Sequence, residues 1–531
     1  MTIYLDYAAT TPVDPRVAAV MARSLADPAA QANAASATHG LGLGVHDRVE
    51  AARAEVAALI GAAAREIVFT SGATEANNLA LLGVARAASR ATGRGHIVSS
   101  RTEHKSVLDT CAQLARDGFA LTLLEPDVGG RVPPDAVRAA LRADTLLVSL
   151  MLVNNEIGVI NDVAAYSALC APRGILLHTD ASQAVGKLPV DVARLGVDFL
   201  SLTAHKFYGP KGIGALYVRE AARPRISPVQ FGGGHERGLR SGTLATHQIE
   251  GFGTAASLAR SQGEGDAAHA RDLAGRLWRE LESLPGVILN GAAQRVPGLL
   301  NLSFEGVEGE SLVTGLAEIA VSTGSACSSA TREPSYVLRA LGHGTELAQS
   351  SLRISLGRFT AAADVDEAAG AIRREVARLR RLAGDGAAEV PVTGSGTGGG
   401  RAGSLLARTL SPLAQRYFLA QARVPRFGQA AAPGGFRHGR AGRRSDGTEV
   451  LFELEIAGES VKSARSSAYG CPHTLAVVGW LCEVVEGARI ETAVPGTPAD
   501  WARKFAVPVE KLGRLLIVED ALRAALGPPE P

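Results

Sequence analysis

Ser201-Leu202-Thr203-Ala204-His205-Lys206-Phe207-Tyr208-Gly209-Pro210-Lys211-Gly212 completes an apolar run that begins at Val197. The run from Val197 to Leu202 reads as a strand buried on both faces. Lys206 then falls at the strand's exit, after a hydroxyl and an imidazole and before a Gly/Pro turn. A lysine so placed can form a Schiff base with a carbonyl cofactor. Viewed singly it reads first as a solvated loop lysine, so neighbouring segments decide.

Working outward, apolar runs alternate with helical patterns. They are Ile67-Val68-Phe69, His96-Ile97-Val98, Leu146 to Leu152, Gly174 to Leu177 and Ile213 to Val218. This βα repetition predicts an α/β fold with an open, mostly parallel sheet over a large domain of about 15–255. A smaller α/β domain is expected from the N-terminal segment plus about 256–382, with a helix from Asp266 to Leu281, a strand over Leu299 to Phe304 and a closing helix from Val365 to Leu382. Residues 1–382 thus form one two-domain unit. Residues 383–404, rich in Gly, Ser and Thr, read as a flexible linker. Residues 405–531 form a further α+β module, with a strand pair over 450–456 and 461–468 and a helix from about Pro472 to Glu486.

At 531 residues the chain exceeds one ordinary core. A net charge of +2, with 20% charged residues, gives no reason to expect a nucleic acid or a membrane as partner. Arg437, Arg440, Arg443 and Arg444 make the start of the module basic, which reads as a solvated loop before it reads as a nucleic-acid contact. Neither a basic leader nor a membrane-length apolar run is seen, so a cytoplasmic location is expected. Five widely spaced cysteines suit a reducing compartment.

Ligands in such sheets gather at the carboxyl ends of strands, and polar side chains recur there. Thr70 to Asn78 turns a strand into a helix, where free N–H groups and Thr74 can hold a phosphate or simply cap the helix. Asp180 ends another strand, either as a helix cap or as the partner of a protonated pyridine nitrogen. His104 could stack on an aromatic cofactor. Asn155 and Gln183 carry amides suited to a phenolate oxygen. Five such groups at five strand ends outweigh each bland reading.

The stretch from Tyr4 to about Arg380 resembles the NifS/IscS-type cysteine desulfurases, of aminotransferase class V and the type I fold of pyridoxal-phosphate enzymes. The resemblance rests on Tyr4 to Pro12, Ser71 to Asn78, Thr102-Glu103-His104, Asn154 to Gly158, Asp180 to Gln183, His205-Lys206 and Arg237 to Thr243. It implies pyridoxal 5'-phosphate as cofactor, with Lys206 as the Schiff-base lysine, Asp180 facing the pyridine nitrogen and His104 stacked on the ring with a catalytic role. Asn155 and Gln183 match groups near the phenolic oxygen. Ala73, Thr74, Thr203 and His205 match the phosphate site, and Thr243 would reach it from the second subunit of a homodimer. Arg353, in Ser351 to Gly357, matches the grip on the substrate carboxylate, which Asn155 would also approach.

Cys327 lies in Ser322-Thr323-Gly324-Ser325-Ala326-Cys327-Ser328-Ser329-Ala330, a small, polar loop that suits a mobile nucleophile. The expected activity is therefore conversion of L-cysteine to L-alanine with persulfide on Cys327, supplying sulfur-acceptor proteins for iron–sulfur cluster assembly or thiolation. The alternative is a selenocysteine lyase or related lyase.

The module from Val450 onward resembles NifU/IscU-type iron–sulfur scaffolds, which present three cysteines. Here Cys471 matches one of them, while Arg514, Gly513 and roughly Asp446 stand at the third cysteine, the preceding His and the first cysteine. Thiolates are the ligands iron–sulfur clusters require, so cluster binding by this module is doubtful and no metal ligand set is assigned, although Cys327 itself could contact a cluster. Two readings stay open: Cys471 accepts sulfur from Cys327, or the module is a non-catalytic interaction domain.

Overall fold

The computed structural model describes residues 2–91, 95–323, 334–385, 405–420 and 436–527. Its central element is a seven-stranded sheet in the order Ile67–Thr70, Gly214–Val218, Phe199–Thr203, Leu176–Asp180, Thr145–Ser149, His96–Ser100, Ala120–Leu124. Gly214–Val218 runs antiparallel to both its neighbours, while the five strands beyond it are mutually parallel. The edge strand Ala120–Leu124, mostly half-buried, is not among the apolar runs named above.

Helices cover both faces. On one, Phe69 and Phe207 pack at 6.1 and 5.8 Å from Phe252 of the helix Thr246–Leu281. On the other, Val68 and Leu147 meet Leu79 and Val84 of the helix Ala73–Ala91 and Val107 and Leu114 of the helix Lys105–Arg116. The helix Thr246–Leu281 starts well before the expected Asp266. Gly251, Gly253, Gly263 and Gly265 hide its first half in sequence, since glycine disfavours helix interiors. Packing explains one of them: a Cβ on Gly253 would lie 2.7 Å from the Ala52 Cα of the helix Gly40–Leu59.

The smaller domain holds an antiparallel sheet of Ser351–Ser355, Leu299–Phe304 and Val287–Leu289. The N-terminal strand Ile3–Tyr4 pairs parallel with Ile319–Ala320. Asp6 bridges to Ser355, and the chain then crosses to the large domain, where the Thr11 N–H donates to the His205 carbonyl at 2.9 Å.

Beyond the linker, Phe436–Arg443, Thr448–Ala457 and Ser460–Tyr469 form a three-stranded antiparallel sheet. The arginine-rich start is therefore a strand rather than the solvated loop expected. Its charges are answered within the chain: Arg440 pairs with Glu449, Arg444 with Glu449 and Asp385, and Arg437 donates to the Leu526 carbonyl at 3.0 Å. The helix Pro472–Val485 covers the sheet, with Trp480 against Trp501 and Phe505. Cys482 is packed inside it, 3.1 Å from Ser466 Oγ.

One buried ion pair fixes the segment before Thr243. Arg53 is 3% exposed and donates through both Nη atoms to Glu236, which also accepts from the Phe69 N–H at 2.7 Å. Glu236 and Arg237 sit at φ 51° and 54°, strained for residues with side chains, and the buried pair holds them there. Glu236→Ala removes the buried partner of both Arg53 Nη atoms, leaving Glu50 at Nε, and is expected to cost about 3 kcal/mol, read by urea unfolding. A loss below about 1 kcal/mol, the range of exposed pairs, would contradict this assignment.

Candidate active site

Ala73, Thr74, His104, Asn155, Asp180, Gln183, Thr203, His205, Lys206 and Arg353 line one cleft of about 600 Å³. Most stand where sheet strands end; Arg353 comes from the smaller domain's strand Ser351–Ser355. A wider groove of about 930 Å³ between the helices Pro15–Ala26, Gly40–Leu59 and Thr246–Leu281 contains none of them.

Lys206 ends a short 3₁₀ turn, Ala204–Lys206, directly after the strand Phe199–Thr203. Its Nζ donates to the carbonyls of Ala8 and Ala9 at 2.5 and 2.8 Å. Tyr208 then turns at φ 68°, locked by its N–H donating to Thr11 Oγ1 at 2.6 Å and its hydroxyl accepting from the Arg358 N–H at 2.7 Å. The N-terminal crossing segment is thus part of the site.

Asp180 is nearly buried and accepts from Asn77 Nδ2 at 2.7 Å and from the Ser182 N–H at 2.9 Å. His104 caps the helix Lys105–Arg116: its Nδ1 accepts from the Ser106 N–H at 3.1 Å. That bond makes Nδ1 the acceptor and places the proton of a neutral ring on Nε2. Beside it, Glu103 is fully buried and accepts from the Met151 N–H at 2.6 Å. Burial raises its carboxyl well above the usual range.

Another part of the cleft is built from the start of the helix Ala73–Ala91, where Glu75 accepts from the Ser71 N–H at 2.6 Å and from Arg240 Nε at 2.7 Å. Gly214 stands opposite both Thr70 and Thr203, and a Cβ there would lie 2.7 Å from the Gly72 Cα. No larger residue fits while that turn stays in place. His205 Nδ1 lies 3.2 Å from Thr10 Oγ1, and Thr203 Oγ1 donates to the Ile213 carbonyl at 3.1 Å. Burial first, then Lys206, Lys211 and Lys187, hold the His205 pKa down at about 4. His205 is therefore neutral near pH 7.

Arg353 is almost fully buried. It donates to Asp6 Oδ1 at 2.9 Å and to the Asn155 carbonyl at 3.0 Å, and Asp6 also accepts from Ser322 Oγ at 2.6 Å. Arg353 Nε, Asn155 Oδ1 and Ser182 Oγ are buried with no hydrogen-bond partner among the described residues. Orphaned polar atoms of this kind signal a ligand. Asp6, Ser182 and Lys187 had not been singled out from sequence. The Tyr4 to Pro12 motif carried Asp6 without a role, because its partner Arg353 lies 347 positions away.

Thr243 is exposed and does not line its own chain's cleft. Cys327 lies outside the described residues. Cys471 is far from the cleft in this sense: it is fully buried where the module meets the smaller domain, with Sγ 3.4 Å from Thr474 Oγ1. Among the described residues no group of three or more metal-ligating side chains occurs, and no helix is long and apolar enough to cross a membrane.

The chain belongs to the class-V aminotransferase family, whose model matches residues 3–368. Within that family its relatives are desulfurases. It is 54% identical over 384 residues to the cysteine desulfurase IscS of Aeromonas salmonicida and 53% identical over 383 residues to that of Shewanella amazonensis, in each case across 72% of this chain and 94% of the relative. Among solved structures, a NifS-like protein matches with a TM-score of 0.65 at 34% identity, over 70% of this chain and 99% of its own. SspA in complex with cysteine matches at 0.60 and 36%, over 68% of this chain and all of its own. The family match ends well before the module.

Lys187 supplies a test of the site's electrostatics. Its Nζ donates to Gln183 Oε1 at 2.7 Å, and desolvation, then Lys206 and Arg353, bring its pKa down to about 7. The unfolded chain therefore binds more protons than the folded one between about pH 7 and about pH 10, and folding should gain stability across that window as pH rises. Cofactor-free Lys187→Met should show a flatter rise in urea-unfolding experiments. An unchanged slope would contradict the placement of this charge.

Proposed function

We propose that this chain is a pyridoxal-phosphate-dependent cysteine desulfurase that converts L-cysteine to L-alanine and takes the sulfur as a persulfide on Cys327. The observation that carries the reading is the joint placement of Lys206, Asp180, His104 and Arg353 in one cleft, where Asn155 Oδ1, Ser182 Oγ and Arg353 Nε are buried without a partner among the described residues. The donor set fits the cofactor: Lys206 would hold its carbonyl carbon covalently, Asp180 its pyridine nitrogen, Gln183 and Asn155 its phenolic oxygen. Ala73, Thr74, Thr203 and His205 would hold the phosphate, and His104 would stack on the ring. When bound, pyridoxal phosphate supplies a sink for the electron pair released from the substrate carbon.

The chain's own residues supply the rest. Arg353 receives the substrate carboxylate as a bidentate cation, with Asp6 and the Asn155 carbonyl fixing the guanidinium plane. Neutral His205 adds hydrogen bonding without a further charge beside Lys206. Lys206 and His104 are the groups placed to move protons at the substrate carbon and sulfur. The Cys327 thiolate attacks the substrate sulfur; an S–S bond forms, the C–S bond breaks, and the carbon that receives the pair is protonated to give alanine.

Exposed Thr243, at the end of a rigidly anchored segment, fits a homodimer in which it completes the partner's phosphate site. The buried free thiols Cys111, Cys170, Cys471 and Cys482 fit a cytoplasmic protein that hands sulfur to acceptor proteins. The module fits a NifU/IscU-like interaction domain: Arg514 lies close both to Cys471 and to Gly447, beside Asp446, so the three positions that resemble cluster ligands meet at one end. An arginine and an exposed aspartate there do not fit a stable cluster.

Lys206→Ala should abolish the near-visible absorption of purified protein and the borohydride sensitivity of that band; retention of both would refute the assignment of Lys206. Cys327→Ser should still change the cofactor spectrum when L-cysteine is added but form alanine at least ~100-fold more slowly, in the range seen when a nucleophile is removed. Full alanine production would exclude Cys327. Turnover of selenocysteine without cysteine would favour the lyase.

A further inference from the structure

The end of the module that carries Cys471 does not face solvent. It faces the start of the smaller domain's helix Gly309–Gly315. Ser311 Oγ donates to the carbonyl of Gly470, the residue before Cys471, at 2.8 Å. Lys511, whose side chain is 3% exposed, pairs with Glu310 and lies 3.2 Å from His473 Nδ1. Arg514 sits beside Cys471 with Glu308 at 3.7 Å, and the Tyr469 hydroxyl reaches the Val307 carbonyl at 3.4 Å. Around this cluster, Val307 and Leu312 of the smaller domain and Leu475 and Leu515 of the module belong to one continuous apolar core.

Two basic residues from the module thus meet two acidic residues from the smaller domain around a sealed thiol. Each pair crosses the boundary, so neither domain alone satisfies its own buried charge. A third crossing contact, from Arg378 Nη1 to the Phe418 carbonyl at 2.7 Å with the guanidinium 4.6 Å over the Phe418 ring, clamps the far side.

We propose that the Cys471 end of the module is a docking site for residues 308–311 of its own chain. Lys511 and Arg514 recognise Glu308 and Glu310, and the docked module keeps Cys471 closed to other thiols. The partner is internal and acidic, and the docked module is a fixed part of the smaller domain rather than a tethered acceptor. This inference stands apart from the desulfurase reading, because it concerns residues outside the cleft.

The test is alkylation of the full native chain with N-ethylmaleimide, followed by mass spectrometry of the peptides carrying Cys471 and Cys482. Cys471 should react at least ~100-fold more slowly than in the unfolded chain, as expected for a thiol released only by opening of the contact. Reversing the module face (Lys511→Glu with Arg514→Glu) or the smaller-domain face (Glu308→Lys with Glu310→Lys) should each speed its labelling at least ~10-fold, and combining all four should restore most of the protection. Cys482, inside the module core, should stay protected throughout and reports that the module is folded. Should the reversals unfold it, Lys511→Gln, Glu310→Gln and their double variant form the cycle instead, and a non-additive effect on labelling is expected. Native Cys471 that labels as fast as an exposed thiol, or additive effects without restoration, would overturn the proposal.

Discussion

Positive charge held away from water at the carboxyl edge of the sheet is the constraint on which the rest of this site depends. Burial, then Lys206 and Arg353, lower the Lys187 pKa, and burial, then Lys206, Lys211 and Lys187, lower that of His205. Burying such charges is costly unless each finds a partner. The chain provides partial answers: carbonyls of Ala8 and Ala9 for Lys206, Asp6 for Arg353 and Gln183 for Lys187. Under the proposed function, an anionic cofactor phosphate and a substrate carboxylate would complete what these leave.

The N-terminal segment is the mechanical counterpart of that constraint. It starts in the smaller domain beside Ile319–Ala320, supplies Asp6 to Arg353, then lays Ala8, Ala9 and Thr11 across Lys206, His205 and Tyr208. The lysine and the carboxylate grip come from different domains and are tied through these few residues. Ser322 joins the same network, donating to Asp6 Oδ2 at 2.6 Å and accepting from Arg353 Nη2 at 3.3 Å.

Much of this was legible in the sequence because it is local. Strand ends carry Lys206, Asp180, His104 and Asn155, and an apolar run followed by a polar signature marks a strand end directly. The long-range pairs were not legible: Arg53 with Glu236 and Arg353 with Asp6 have no periodic signature, and each is fixed only by the tertiary fold. The helix from Thr246 was hidden by glycines that its packing on Ala52 requires at one point. The arginine-rich strand read as a loop because its partners, Glu449 and Asp385, neutralise it only once the module has folded onto the smaller domain.

The central claim is that one lysine among three neighbours is the covalent anchor. Lys206 and Lys211 line the cleft and Lys187 bonds its Gln183, yet of the three Lys206 ends the turn that leaves the strand Phe199–Thr203, with its amine on the Ala8 and Ala9 carbonyls. The direct measurement is borohydride reduction of the purified holoenzyme followed by peptide mapping. The account predicts a single pyridoxyl modification on the peptide carrying Lys206, whereas modification of Lys187 or Lys211 in its place, or none, would contradict it.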